Sequence, residues 1–214
     1  MVGPEAFEEV RYLAYLRQLD ALERIPAIAT EFKKLTGRDS GGLVHSYRCE
    51  NAETIVVAMG SVLGTIKDAV DLRREAGDRV GVVGITSFRP FPSAVVRAAL
   101  ADARQVVVLE KAFSTGFGGV LATDVALALQ GIDCSVRSVI AGLGGRAITR
   151  RSLEDLFTRA VRGTLGELTF LDLDHEAVDR ERARMASTRR SGPSAENLLR
   201  DLGTKAFVAS NGTP

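Results

Sequence analysis

A doubly wound α/β domain with a mainly parallel sheet is the fold this sequence predicts. Three observations predict it. Short apolar runs alternate four times with helix-patterned segments, the two runs of the first repeat are continuous rather than alternating, and that repeat is punctuated by Gly60, Gly77, Pro90 and Pro92. The first repeat is the clearest: TIVVAMGSVLGTIKDAVDLRREAGDRVGVVGITSFRPFP, Thr54 to Pro92. Here Thr54–Met59 is an apolar run, Val62 to about Ala76 has helical spacing at Ile66, Ala69, Val70 and Leu72, and Val80–Ile85 is a second apolar run. Two such runs joined by one helix make a βαβ unit, whose crossover places its strands in parallel.

The segment before this unit, residues 5–36, reads as helix. Pro4 fits a first helical turn, and Glu5, Glu8 and Glu9 suit the positive end of the helix dipole. Phe7, Val10, Leu13, Leu16, Leu19 and Leu22 recur near helical spacing and are read as one apolar ridge, a candidate interface. Pro26 is expected to divide the segment into two helices, the second ending at Gly37. Ser40-Gly41-Gly42 is a joint, and Leu43–Tyr47 a short edge strand. After the βαβ unit, Ser93 is placed as the N-cap of a helix to Ala101, and Gln105–Leu109 as the third strand. Ser114-Thr115-Gly116-Phe117-Gly118-Gly119 opens an Ala/Leu-rich helix to Leu129. Ser135–Ile140 is the fourth strand, and Thr149 caps a helix to Val161.

The domain organisation expected is a helical entry segment over 1–40, the α/β domain over 41–165 and a charged helical tail over 166–214. In that tail Thr169–Leu171 reads as a stray strand and Asp174–Arg190 as a charged helix with little to bury. Ser191-Gly192-Pro193 is a break, and a last helix is stopped by Gly203 before a disordered end at 209–214.

Composition narrows the function classes. Hydrophobic residues make up 45% and charged residues 26%, and 28 basic side chains face 27 acidic ones. That balance gives no global attraction to nucleic acid or an anionic membrane. No apolar run approaches the ~20 residues of a spanning helix, and MVGPEAFEEV lacks a basic segment followed by an apolar one, so a cytoplasmic location is expected. Cys49 and Cys134 stand outside any CxxC pair, so no metal or cluster cage is expected on this chain and two reduced thiols are. His45 and His175 sit among polar neighbours and read as surface residues.

Ligands of open α/β sheets bind outside the carboxyl ends of the strands. Four loops meet there, and they supply candidate anion-site residues: Ser61, Arg89, Ser114, Thr115, Gly144 and Arg146, with Lys111 alongside. Glycine-loop amides can hold a phosphate, and arginines pair with carboxylate or phosphate. The same residues equally serve tight turns and interface ion pairs, and both readings stand at this point. STGFGG lacks the GK[ST] ending of a P-loop, GLGGR is not GxGxxG, and there is no GxSxG elbow or HExxH. No catalytic residue is assigned.

Four motifs in order, MGSVLGTIKDAV, SFRPFP, VVVLEK and IAGLGGR, resemble the second domain of 2-oxoacid:ferredoxin oxidoreductases, the pyruvate:ferredoxin oxidoreductase family. The resemblance covers roughly Pro4 to Val161 and implies a transketolase C-terminal-like fold. It implies an enzyme complex that converts a 2-oxoacid, with pyruvate the commonest, and coenzyme A to acyl-CoA, CO2 and reduced ferredoxin. Thiamine diphosphate, magnesium and iron–sulfur clusters would be held elsewhere in that complex, since the GDG…NN run and the cluster cysteines are not in this sequence. The partners implied are a pyrimidine-binding domain, a thiamine-diphosphate-binding beta subunit, and gamma and ferredoxin-like subunits. The chain is then a non-catalytic structural piece, from a split or truncated alpha subunit. The alternative is a stand-alone transketolase-C-like module that binds a small anion or a protein.

Overall fold

The computed structural model describes residues 3–187 and 194–210. The chain divides into two compact units, with the boundary between Leu171 and Asp172. The first unit is built on a six-stranded sheet: β1 (Val44–Tyr47), β2 (Thr54–Ala58), β3 (Val80–Ile85), β4 (Gln105–Glu110), β5 (Ser135–Ile140) and β6 (Leu168–Phe170). The order across the sheet is β1-β3-β2-β4-β5-β6, with β1 antiparallel to β3 and every other pair parallel. The doubly wound, mainly parallel α/β class read from the sequence is the class found.

Strand alternation explains the two-sided core. Val56, Ala58, Val82, Val107 and Leu109 face one way and pack with Ile66 and Val70 of α2 (Val62–Glu75) and with Leu153, Leu156 and Phe157 of α5 (Arg150–Val161). Ile55, Val57, Val83, Val106 and Val108 face the other way, onto α3 (Ser93–Leu100) and α4 (Val120–Ala128). A strand covered on both faces needs an apolar residue at every position, so β2 and β3 are buried throughout. Thr149 caps α5 as expected, its Oγ1 accepting the Ser152 N–H at 3.1 Å. Ser93 does not cap α3. It is the first helical residue, and Pro92, with φ −83°, holds the position before it.

Four other expectations are corrected. The entry segment is one helix, α1 (Pro4–Thr36), and it runs through Pro26. A proline removes one intrahelical bond, and strong helix formers on both sides carry the helix across it. Gly37 ends it at φ 72°, its N–H bonding the Lys33 carbonyl at 2.9 Å. The expected single ridge from Phe7 to Leu22 is not a ridge. A spacing of three residues turns about 300°, so each step falls back about 60° and the apolar positions wind round the helix. Leu168–Phe170 is no stray strand, because it extends the sheet beside β5, and the sheet unit therefore reaches Leu171 rather than 165. His45 is not a surface residue. It lies half-buried on β1, with its imidazole against the bare Cα of Gly84, where any side chain would collide with the ring.

The second unit contains α6 (His175–Ser187) and α7 (Ser194–Ser210). The charged helix does bury something: Ala177 and Glu181 are buried, and Glu181 accepts from Arg184 at 3.2 Å and from Asn197 at 3.4 Å. Arg184 also pairs with Asp201 at 3.1 Å. Gly203 does not stop α7, since one interior glycine costs a helix only about 1 kcal/mol. The expected break at 191–193 lies outside the described residues. So does the expected disordered end from 211 on, while Ala209 and Ser210 are helical.

His45 gives this fold a predicted pH dependence. Burial, and then the Lys67 charge, push its pKa below the ordinary 6.5, and Asp39 opposes them. The unfolded chain therefore takes up a proton near pH 6.5 that the folded chain resists, and stability is lost as the pH falls through the folded value. Urea midpoints of wild type and His45→Asn, compared at about pH 7.5 and about pH 5.5, should show the larger acid loss in wild type.

Candidate functional site at the carboxyl edge of the sheet

The loop after β2 leads to α2 on one face of the sheet, and the loop after the adjacent β4 leads to α4 on the other. The chain therefore parts between β2 and β4, which makes this the topological switch point of the sheet. A cavity of about 250 Å³ opens there. Its lining comes from Met59, which follows β2, the start of α2 (Val62), the end of β4 and the two residues after it (Leu109 to Ala112), the start of α4 (Val120, Leu121), and the single residues Phe88 and Ile148. The walls are almost wholly apolar. The charged side chains are Glu110 and Lys111.

Glu110 is only 8% exposed, and its carboxylate is fully engaged. Oε2 accepts the N–H groups of Val120 and Leu121, each at 2.9 Å, and Oε1 accepts that of Ala122 at 2.9 Å. The residue before α4 is Gly119, which has no side chain to cap the helix. Glu110 supplies the cap from ten residues away, and its charge is well placed at the positive end of the helix dipole. Gly119 must lack a side chain for this, because a Cβ there would collide with the Glu110 carboxylate. The loop between them is pinned twice more: Ser114 and Gly118 bridge across its turn, and Phe113 meets Phe170 of β6 edge-on at 5.0 Å.

Lys111 is exposed and has no hydrogen bond or ion pair among the described residues. Its stem lies over Gly142, whose φ of 72° and missing Cβ leave room; a Cβ there would stand 3.1 Å from Lys111 Cε. Arg89, by contrast, is committed within the chain. It pairs with Asp124 of α4 at 2.9 Å, donates to the Phe88 carbonyl at 2.7 Å and stacks 4.0 Å over the Phe88 ring.

The candidate residues taken from the sequence all fall in loops after strand ends; of them Lys111 lines the cavity, while Ser61, Arg89, Ser114, Thr115, Gly144 and Arg146 do not. Ser61 precedes α2, exposed and without a side-chain cap bond. Ser114 forms the loop bridge, and Thr115 lies exposed beside it. Gly144 sits in a 3-10 turn (Leu143–Gly145) at φ 64°, and Arg146 follows it, exposed. Sequence reading missed Glu110, Met59, Phe88 and Ile148. A usable signal was present for Glu110: a lone carboxylate ends an otherwise apolar strand, and the helix that follows opens on glycine.

Neither a magnesium-held diphosphate nor an iron–sulfur cluster fits these residues. Glu110 is held by α4 and Asp124 by Arg89, so neither carboxylate is left to receive a metal. Cys49 and Cys134 are half-buried free thiols on separate segments, two where a cluster takes four. Among the described residues no helix is long and apolar enough to cross a membrane.

Residues 52–153 match the pyruvate:ferredoxin oxidoreductase core domain II family. The chain contains a core domain II of the 2-oxoacid:ferredoxin oxidoreductase family. It is 39% identical over 183 residues to a pyruvate synthase subunit PorA of Methanosarcina barkeri, covering 82% of this chain and 46% of that subunit. It is 33% identical over 156 residues to a ketoisovalerate oxidoreductase subunit VorA of Pyrococcus horikoshii, covering 72% of this chain and 40% of that one. The chain thus spans about half the length of the curated relatives it matches. Among solved structures, a 2-oxoglutarate:ferredoxin oxidoreductase from Magnetococcus marinus aligns over 55% of this chain and 19% of its own, at 18% identity and a TM-score of 0.43.

Glu110 gives this edge its prediction. Replacing it with Ala leaves three N–H groups of α4 without their acceptor, and should cost about 2–3 kcal/mol in chemical denaturation. Glu110→Gln, which keeps one acceptor oxygen, should lose about half as much.

Proposed function

We propose that the chain is a non-catalytic structural part of a thiamine-diphosphate-dependent 2-oxoacid:ferredoxin oxidoreductase. That complex converts a 2-oxoacid, here pyruvate, and coenzyme A to acyl-CoA, CO2 and reduced ferredoxin. The pyruvate synthase relatives and the core domain II match support the family and the reaction class. On this reading thiamine diphosphate, magnesium and the iron–sulfur clusters are bound by other parts of the complex, and the chain works among soluble cytoplasmic subunits. Those partners are a pyrimidine-binding domain, a thiamine-diphosphate-binding subunit, and gamma and ferredoxin-like subunits.

The observation that carries the reading is the state of α1. The helix runs for 33 residues, about 50 Å at 1.5 Å per residue, and has no buried residue. Phe7 is 56% exposed and Leu13 61%, with Val10, Leu16 and Leu19 also exposed and Leu22 half-buried. Tyr12 and Tyr15 add to them. Because these side chains wind round the helix, one flat partner surface cannot cover them all. A helix with large apolar side chains exposed on every side, among its charged ones, is read as belonging inside a larger assembly. Burying each large side chain is worth roughly 1.5–3 kcal/mol, which makes a water-exposed state costly. The relatives are about twice the matched length, so the family subunit has a further portion beyond these 214 residues. We assign that portion, the pyrimidine-binding domain, as the cover of α1.

Two measurements test this. The purified chain, supplied with pyruvate, coenzyme A, thiamine diphosphate and magnesium, should leave ferredoxin and viologen dye unreduced; turnover by the chain alone would overturn the structural role. Co-expressed with a pyrimidine-binding domain from its own genome, the chain should elute with it as one complex. Leu13→Lys with Leu16→Lys should release that domain without shifting the thermal transition of the sheet unit. A collapse of the sheet in the double variant would show α1 packing on its own domain instead.

A further inference from the structure

The geometry points to a binding site for a small apolar monocarboxylate in the switch-point cavity, its carboxylate on Lys111 Nζ and its body among Met59, Val62, Phe88, Leu121 and Ile148. The cavity alone carries this site, whatever the standing of the oxidoreductase reading.

Size comes first. A dry cavity of about 150 Å³ lined by Leu, Ile and Phe takes up benzene. The 250 Å³ here therefore has room for one ring, or a branched chain of similar bulk, with a short acid arm. It does not have room for a nucleotide. Shape and place agree. The hollow is bounded by separate segments of chain, at the position in the sheet where the connections part to opposite faces, and ligands of open α/β sheets collect there.

Charge then selects the head group. Two ionic side chains, Glu110 and Lys111, border the hollow. Glu110 offers nothing to a ligand, since both of its oxygens accept backbone N–H groups from α4 and the helix dipole offsets its charge. Lys111 is the reverse. It is exposed, has no partner among the described residues, and has its stem laid across the cleared space over Gly142. Of the other cations at this edge, Arg89 is paired with Asp124 and Arg146 has an interaction of its own. One unpaired ammonium beside an apolar hollow fits an amphipathic anion of single charge. A neutral alcohol would gain no ion pair from Lys111, and a dicarboxylate would bring its second charge against apolar walls.

The test is an NMR titration of the full chain, read at the methyl groups of Val62, Leu121 and Ile148, with 3-phenylpropionate as the probe. It should bind saturably at these residues with a dissociation constant of about 1 mM or lower. 3-Phenylpropionamide, which has the same body without the charge, should bind at least about tenfold more weakly, and acetate, which has the charge without the body, should not compete. Lys111→Gln, an exposed substitution that leaves the fold intact, should weaken the acid about tenfold and leave the amide unchanged. The proposal is overturned if the methyl shifts do not saturate, if the acid and the amide bind equally, or if Lys111→Gln leaves acid binding as it was. The comparison of acid with amide uses the wild-type chain, so its outcome is independent of how any substitution folds.

Discussion

Three backbone N–H groups at the start of α4 converge on one carboxylate, that of Glu110. The carboxyl edge of the sheet depends on this contact. It joins the end of the central strand β4 to the helix that leaves on the far face, and so fixes both ends of the loop from Lys111 to Gly119. That loop carries one wall of the switch-point cavity, the bridge between Ser114 and Gly118, and the Phe113 contact to edge strand β6. The arrangement uses a charged residue at the end of a buried strand as a helix cap. It works because the helix dipole and three donors compensate the charge where it sits. It also works only with glycine at position 119, which couples two residues distant in the chain to one hydrogen-bond geometry.

The fold is legible in the sequence where burial dictates composition. β2 and β3 have both faces covered, so their apolar runs are uninterrupted and their bounds can be placed to within about a residue. Legibility falls where a single local cue outweighs its surroundings. Pro26 and Gly203 read as helix ends by themselves, yet both helices run through them; the glycine costs only about 1 kcal/mol, and the larger cost of the proline is met by the helix formers on either side. β6 reads as a stray because so short a segment with one exposed end has little composition of its own; its identity comes from pairing with β5. His45 looks polar and superficial in the chain, but its seat is defined by Gly84, its register partner on the neighbouring strand.

The candidate site is legible in place but not in its residues. Sequence order locates the carboxyl edge, since every loop after a parallel strand must arrive there. Arginines, serines and glycines are the usual anion binders and stand out in those loops. In the structure Arg89 is tied to Asp124, and the serines and glycines shape turns, while the hollow itself is made by Met59, Phe88, Leu121 and Ile148. Such residues are indistinguishable from core in a sequence. Only the parting of α2 and α4 to opposite faces leaves them lining a space rather than filling one.

The two ends of this architecture answer different demands. At the carboxyl edge, ionic groups are mostly satisfied internally: Glu110 by α4, Asp124 by Arg89, Glu154 by Arg150. At an edge so committed, the charge of Lys111, without a partner among the described residues, is correspondingly conspicuous. At α1 the reverse holds. The sheet does not need it, since two buried clusters already cover both of its faces, and none of the α1 side chains belongs to either. This 33-residue helix is rich in apolar side chains, yet none of them is buried. On the function proposed above, the surface that buries it lies beyond the sheet unit. The curated relatives, about twice as long as the span they share with this chain, have room for such a surface.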